Sequence, residues 1–149
     1  MEKELIIQKL PYTEPFLFVD KIIDIDSDGV TGRYTLRPDA YFYEGHFVGN
    51  PITPGVILTE IMAQIGVACL GIFLLNTFSE NDAPGIAMSS NAIEFYKPVL
   101  PGETVTVVSE KEYFRFHKLK CKVALYNTED KLIAKGVIAG MVLNHKDNK

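Results

Sequence analysis

From residue 56 to residue 75 the chain is apolar almost without interruption, with one carboxylate, Glu60, set inside the run and Gln64 four residues after it. A helix with no polar face must be buried on nearly every side or cross a membrane. The longest unbroken part, residues 65–75, is too short to span a bilayer, and extending it toward the N-terminus brings in Gln64 and Glu60. The run therefore predicts a long helix buried in a protein core. Its start is marked by Thr53, which can cap a helix, and by Pro54 at the first helical position, where a missing N–H is harmless.

What surrounds this helix reads as sheet. Residues 16–25 (FLFVDKIIDI) and 30–37 (VTGRYTLR) predict two strands across the turn DSDG, followed by an irregular, aromatic-rich link (PDAYFYEGHFVGNPITPG). After a loop at residues 76–85 (NTFSENDAPG), residues 86–99, 103–116, 118–126 and 132–143 predict four more strands, and the polar tail at 144–149 predicts a frayed end. In residues 118–126 (KLKCKVALY) lysines alternate with Leu119, Cys121 and Val123, giving one wet face and one packed face. Two strands, a helix and four strands predict an α+β architecture in which a curved antiparallel sheet wraps the helix. One sheet leaves much of so apolar a helix uncovered, which predicts a partner subunit.

At 149 residues the chain is expected to form a single domain, 1–149, with a core of its own. A net charge of −4 argues against generic nucleic-acid binding, which needs a basic face. Cys69 and Cys121 sit in apolar or alternating segments without CxxC or zinc-ligand spacing, and are expected to be buried, reduced thiols. The N-terminal sequence MEKELIIQKLPYTEPF lacks the pattern of a signal peptide, so the expected location is the cytoplasm, with no membrane span.

Glu60 and Gln64 share a helix face, so the amide can hold the carboxyl. A carboxyl shielded from water is costly to ionise, its pKa rises, and it can deliver a proton near neutral pH. His46, between Gly45 and Phe47, is a base whose neutral form accepts a proton at pH 7. Gly55 and Val56 lie in the first helical turn, where N–H groups lack intrahelical partners and suit a developing oxyanion. An acid, a base and an anion site together suit proton abstraction beside a carbonyl combined with loss or gain of water. Each has a structural alternative: a packed, hydrogen-bonded His46, and a Glu60 that faces solvent or pairs with a lysine. His46, Glu60, His117 and His145 show no metal-ligand spacing.

The stretch GHFVGNPITPGVILTEIMAQ, residues 45–64, closely resembles the motif G-H-F-P-x-x-P-x-x-P-G-V-L-x-x-E-x-x-A-Q of the FabZ-type 3-hydroxyacyl-acyl-carrier-protein dehydratases. LPYTEPFLFVDKI, residues 10–22, resembles the family's opening segment, and FYKPVLPGETV, residues 95–105, its F-R-x-P-V-x-P-G-D-x-L. The resemblance implies a hot-dog fold, a dimer whose two sheets join (often a trimer of dimers), and an active site sharing the histidine of one subunit and the acid of the other. By the motif these are His46 and Glu60, with Gly55 and Val56 at the oxyanion and Gln64 supporting Glu60. The implied reaction converts a 3-hydroxyacyl thioester on acyl carrier protein to a trans-2-enoyl thioester, with no cofactor and no metal.

Several positions depart from the family pattern. Val48 replaces the proline of G-H-F-P, Thr53 a large apolar residue, and Tyr12 and Thr13 the usual His-Arg. Asn50 stands where lysine is common, and Ile86 falls near a tunnel position that often holds tyrosine. None removes a proton-transfer group. Lys97, Arg115, Lys118, Lys120 and Lys122 are the candidates for contacting an anionic carrier, or else a solvated strand face. The fold also hosts thioesterases, which normally lack this histidine and helical motif, and a non-catalytic acyl-binding subunit is a third reading.

Overall fold

The apolar run becomes the axis of the molecule. The computed structural model describes residues 2–75 and 85–143. A short helix α1 (Lys3–Gln8) precedes strands β1 (Lys21–Asp26) and β2 (Gly29–Thr35), and a 3-10 turn at Tyr41–Glu44 leads to helix α2 (Gly55–Leu74). Four strands follow: β3 (Gly85–Phe95), β4 (Thr104–Arg115), β5 (Lys118–Tyr126) and β6 (Leu132–Leu143). They form one antiparallel sheet in the order β1-β2-β4-β5-β6-β3. All six strands touch α2, so the sheet must curve around it. The register is offset between Ile22 and Asp24, Met88 and Ser90, and Lys111 and Tyr113, and such irregularities bend strands.

Side-chain period explains the packing. On β5, Leu119, Cys121, Val123 and Leu125 face inward and are buried, while the lysines between them face outward. Ile61, Met62, Ile65 and Leu70 of α2 are fully buried against this face, each stabilising the fold by about 1.5–3 kcal/mol relative to exposure. By length and composition α2 could cross a membrane, but most of it is buried in the fold, as expected of a core helix.

Three local expectations are corrected. The first strand begins at Lys21 rather than residue 16, because residues 16–18 bond to a side chain of α2: Gln64 Nε2 donates to Phe16 O at 2.9 Å, and Phe18 N donates to Gln64 Oε1 at 2.8 Å. The helix cap is Pro54, not Thr53, since the hydroxyl of Thr53 is engaged 2.6 Å from the Tyr43 hydroxyl. The third strand ends at Phe95 rather than residue 99; Tyr96 N still donates to Ile133 O at 2.7 Å, but Pro98 has no N–H to continue a ladder. The loop expected at residues 76–85 lies outside the described residues except for Gly85, which opens β3; the tail expected to fray lies wholly outside them.

The middle of α2, Gln64–Cys69, is wound as a π turn. Such a turn moves carbonyls off the regular ladder, and Ser109 Oγ of β4 donates to Gly66 O at 2.8 Å. Helix and sheet approach closely there: a Cβ on Gly66 would lie 3.1 Å from a Val123 methyl and 3.2 Å from Ser109 Cβ. Gly66→Val is expected to destabilise the fold by about 1–3 kcal/mol through overpacking. Ser109→Ala, which leaves a buried carbonyl without its donor, should cost about 1–3 kcal/mol. Urea unfolding midpoints measure both.

Candidate active site

Helix α2 begins where Pro54 stops the extended chain, and its carbonyl accepts the N–H groups of Ile57 (3.0 Å) and Leu58 (3.1 Å). Among the described residues the N–H groups of Gly55 and Val56 donate to no acceptor, as the geometry of a helix start requires. The Phe95 ring lies 3.4 Å from where a Gly55 Cβ would be, so a side chain at Gly55 would crowd the helix start. Val56 projects outward and is 77% exposed.

His46 sits on the loop before this helix. Its Nδ1 lies 3.0 Å from Ile52 O, and Ile52 N donates to His46 O at 2.8 Å. A carbonyl only accepts, so Nδ1 carries a proton, and in the neutral tautomer this bond selects the lone pair lies on Nε2. The Phe47 ring stacks on the imidazole at 4.5 Å between centroids. One side of the ring is thus packed and bonded, while Nε2 makes no hydrogen bond among the described residues.

Glu60 is half-buried one turn further along α2. Gln64 Nε2 donates to Glu60 Oε2 at 2.9 Å while both ends of the same amide bond to residues 16 and 18. Burial pushes the Glu60 carboxyl above its usual value of 4.5, and the bond from Gln64 pulls partly back. The carboxyl lines a cavity of about 410 Å³. The rest of the wall is apolar, from Phe16, Val67, Ile86, Met88, Ile138 and neighbouring residues, except for Tyr12. Burial, then the charges of Glu60 and Cys69, push the Tyr12 phenol up to about 12, and its hydroxyl has no hydrogen bond among the described residues. A protonatable acid in such a wall can give a proton to an oxygen brought in on an apolar chain.

The structure thus joins Glu60 to Gln64 but does not join either to His46. Within one chain His46 neither lines the Glu60 cavity nor bonds to Glu60. Among the described residues, no group of three or more His, Cys, Asp or Glu side chains gathers as metal ligands.

Residues 10–137 match the FabA-like domain family. A 3-hydroxyacyl-[acyl-carrier-protein] dehydratase of the FabZ type from Lawsonia intracellularis is 32% identical over 149 aligned residues, covering 96% of this chain and 92% of that one. The chain belongs to the FabA-like family, among its FabZ-type dehydratases. A bifunctional LpxC/FabZ enzyme of Porphyromonas gingivalis is 36% identical over 106 residues, and there the match spans 70% of this chain but 22% of the longer protein. The ApeI:P dehydratase heterocomplex of Xenorhabdus doucetiae superposes at a TM-score of 0.80 over 96% of this chain and 93% of that one, at 12% identity. A hypothetical thioesterase of Streptococcus pneumoniae superposes at 0.61 over 83% and 84%, at 13% identity. These two establish the hot-dog fold and nothing about chemistry.

The family departures now have places. Val48 is 87% exposed at the tip of the His46 loop, where Asn50 and Phe47 bond through their backbones. Ile86 lines the cavity with its branches against Gly71 and Gly140. Thr53 and Tyr43 pair with each other. Of the basic candidates, Arg115 stacks over Tyr113 at 4.5 Å and Lys120 lies 3.8 Å from Glu112, so these two already have partners on the sheet surface. Tyr12, part of the cavity wall, stands out in the sequence only as a departure from a motif.

The raised carboxyl has a thermodynamic signature. The unfolded chain ionises Glu60 near 4.5 and the folded chain at higher pH, so folding favours the protonated form and that advantage disappears as pH rises through the folded value. The stability of Glu60→Gln relative to the natural chain should therefore be flat at low pH, climb as pH rises above about 4.5, and level off once the folded carboxyl is ionised. Denaturant unfolding across a pH series checks this.

Proposed function

We propose that this chain removes water from 3-hydroxyacyl thioesters carried on acyl carrier protein, forming trans-2-enoyl thioesters in cytoplasmic fatty-acid or specialised acyl biosynthesis. The observation that carries the reading is the protonatable carboxyl of Glu60, pinned by Gln64 in the wall of an otherwise almost wholly apolar cavity. The acyl chain occupies that cavity. Nε2 of His46 takes a proton from C2, and the electrons move toward the thioester oxygen, which accepts from the free N–H groups of Gly55 and Val56. They then form the C2–C3 double bond as the C3–O bond breaks, with Glu60 giving its proton to the departing hydroxyl, which leaves as water. Returning the proton from His46 to Glu60 resets the site. No cofactor takes part in this scheme.

The histidine comes from a second copy of the chain. What supports this is the separation of His46 from the Glu60 cavity within one chain, together with an edge strand, β3, whose outer side has no partner strand among the described residues. Beside His46 and the helix start, Phe47, Val48 and Val56 are all more than half exposed. Two copies joined along β3 cover these surfaces, and such dimers can assemble further into a trimer of dimers. The reading also accommodates the single-domain expectation for 1–149.

His46→Ala and Glu60→Gln should each lower turnover by at least ~10²-fold, the scale for losing a general acid or base. Turnover is followed as enoyl absorbance from a 3-hydroxyacyl thioester, with free thiol monitored in parallel. Thiol release without enoyl product would instead mark a thioesterase. Mixing the two inactive variants as refolded dimers should restore about a quarter of normal turnover, because half the dimers are mixed and each mixed dimer holds one intact site of two. No recovery in verified mixed dimers would place both residues in one chain's site.

A further inference from the structure

The loop that carries His46 is laced like a hairpin. At its tip Phe47 N and Asn50 O are 3.3 Å apart and Asn50 N donates to Phe47 O at 2.9 Å. Next come the two bonds between His46 and Ile52, at 2.8 and 3.0 Å. At its base the two limbs are joined by one bond between side chains: the hydroxyls of Tyr43 and Thr53, 2.6 Å apart and both buried. Thr53 is itself fixed to the scaffold, because its N–H donates to Val99 O at 2.9 Å. It also directly precedes Pro54, the cap residue of α2.

We propose that the Tyr43–Thr53 pair positions the proton-abstracting histidine relative to the helix start. The inference rests on the dehydratase reading above. Two parts of the site lie on opposite sides of this pair. His46 is three residues beyond Tyr43, and the free N–H groups of Gly55 and Val56 begin two residues beyond Thr53. The base must reach C2 while the N–H groups hold the adjacent carbonyl oxygen, so the distance between them decides whether the bound thioester is aligned for reaction. The backbone bonds near the tip set the shape of the loop around His46. They do not set the angle at which the loop leaves the scaffold; the base pair does. Two hydroxyls at 2.6 Å in a buried site give a directional link that apolar contact between the same limbs lacks. Neither residue touches substrate in this scheme, so both are positioning residues.

The test separates position from stability. Tyr43→Phe and Thr53→Val each leave the other hydroxyl buried without a partner, so both lose stability whichever role the pair has. The double variant Tyr43→Phe/Thr53→Val removes both hydroxyls and relieves that penalty, while Thr53→Ser keeps the link. In steady-state assays below each variant's unfolding temperature, we expect Tyr43→Phe, Thr53→Val and the double variant to lose roughly 10- to 100-fold in kcat, with KM changed less than about twofold. Thr53→Ser should stay within about twofold of the natural chain in kcat. The double variant should recover unfolding temperature but not kcat. Recovery of kcat along with stability in the double variant, or normal kcat in folded Thr53→Val, overturns the proposal. If the natural chain forms no enoyl product, the dehydratase reading fails instead, and the two failures are told apart by that control.

Discussion

One carboxamide ties together the parts of the cavity wall. Gln64 lies fully buried on α2 and bonds at once to the carboxyl of Glu60, to the carbonyl of Phe16 and to the N–H of Phe18. The first bond orients the acid. The other two bind the chain segment that supplies Tyr12 and Phe16 to the same cavity. A buried amide left without these partners would be costly, and an acid without its donor would turn or ionise differently. The position of the Glu60 carboxyl, the proposed proton donor, and the closure of its pocket therefore depend on the same group of atoms. The π turn starts at this residue too, with the close contact of helix and sheet at Gly66 two residues further on.

Much of the fold was legible because its period is clean. β5 begins and ends where alternation places it, β6 spans the apolar stretch after its turn, and the apolar run of α2 could only be a core element. Residues 16–18 misled because their composition suits a strand, whereas the carbonyl of Phe16 and the N–H of Phe18 bond to a helix side chain far away in sequence. Thr53 misled for a similar reason: its hydroxyl can cap a helix, but Tyr43 reaches it first. The six-residue α1 left no periodic trace, and its only fully buried residue is Ile6.

The candidate site divides in the same way. Glu60 and Gln64 are one helical turn apart, so their contact follows from spacing alone. The cavity that Glu60 faces is completed by three distant stretches, residues 11–16, 85–88 and 138–143, which nothing local brings together. That is why the phenol of Tyr12 could be noticed as a substitution but not as a wall. The separation of His46 from Glu60 within a chain was expected from the family motif alone; spacing, which puts them fourteen residues apart, did not show it.

The bond from His46 Nδ1 to Ile52 O leaves the imidazole with a single open face. In the proposed cycle, any proton collected there must go out by the way it came in, since the rear nitrogen is occupied. The elimination produces a water molecule in the same slot, beside a carboxylate that has just lost its own proton. That water is placed to ferry the charge across, so each round can restore its acid and base without exchange with bulk solvent. A sealed acyl channel is then compatible with repeated catalysis, because the by-product of the reaction also closes its proton circuit.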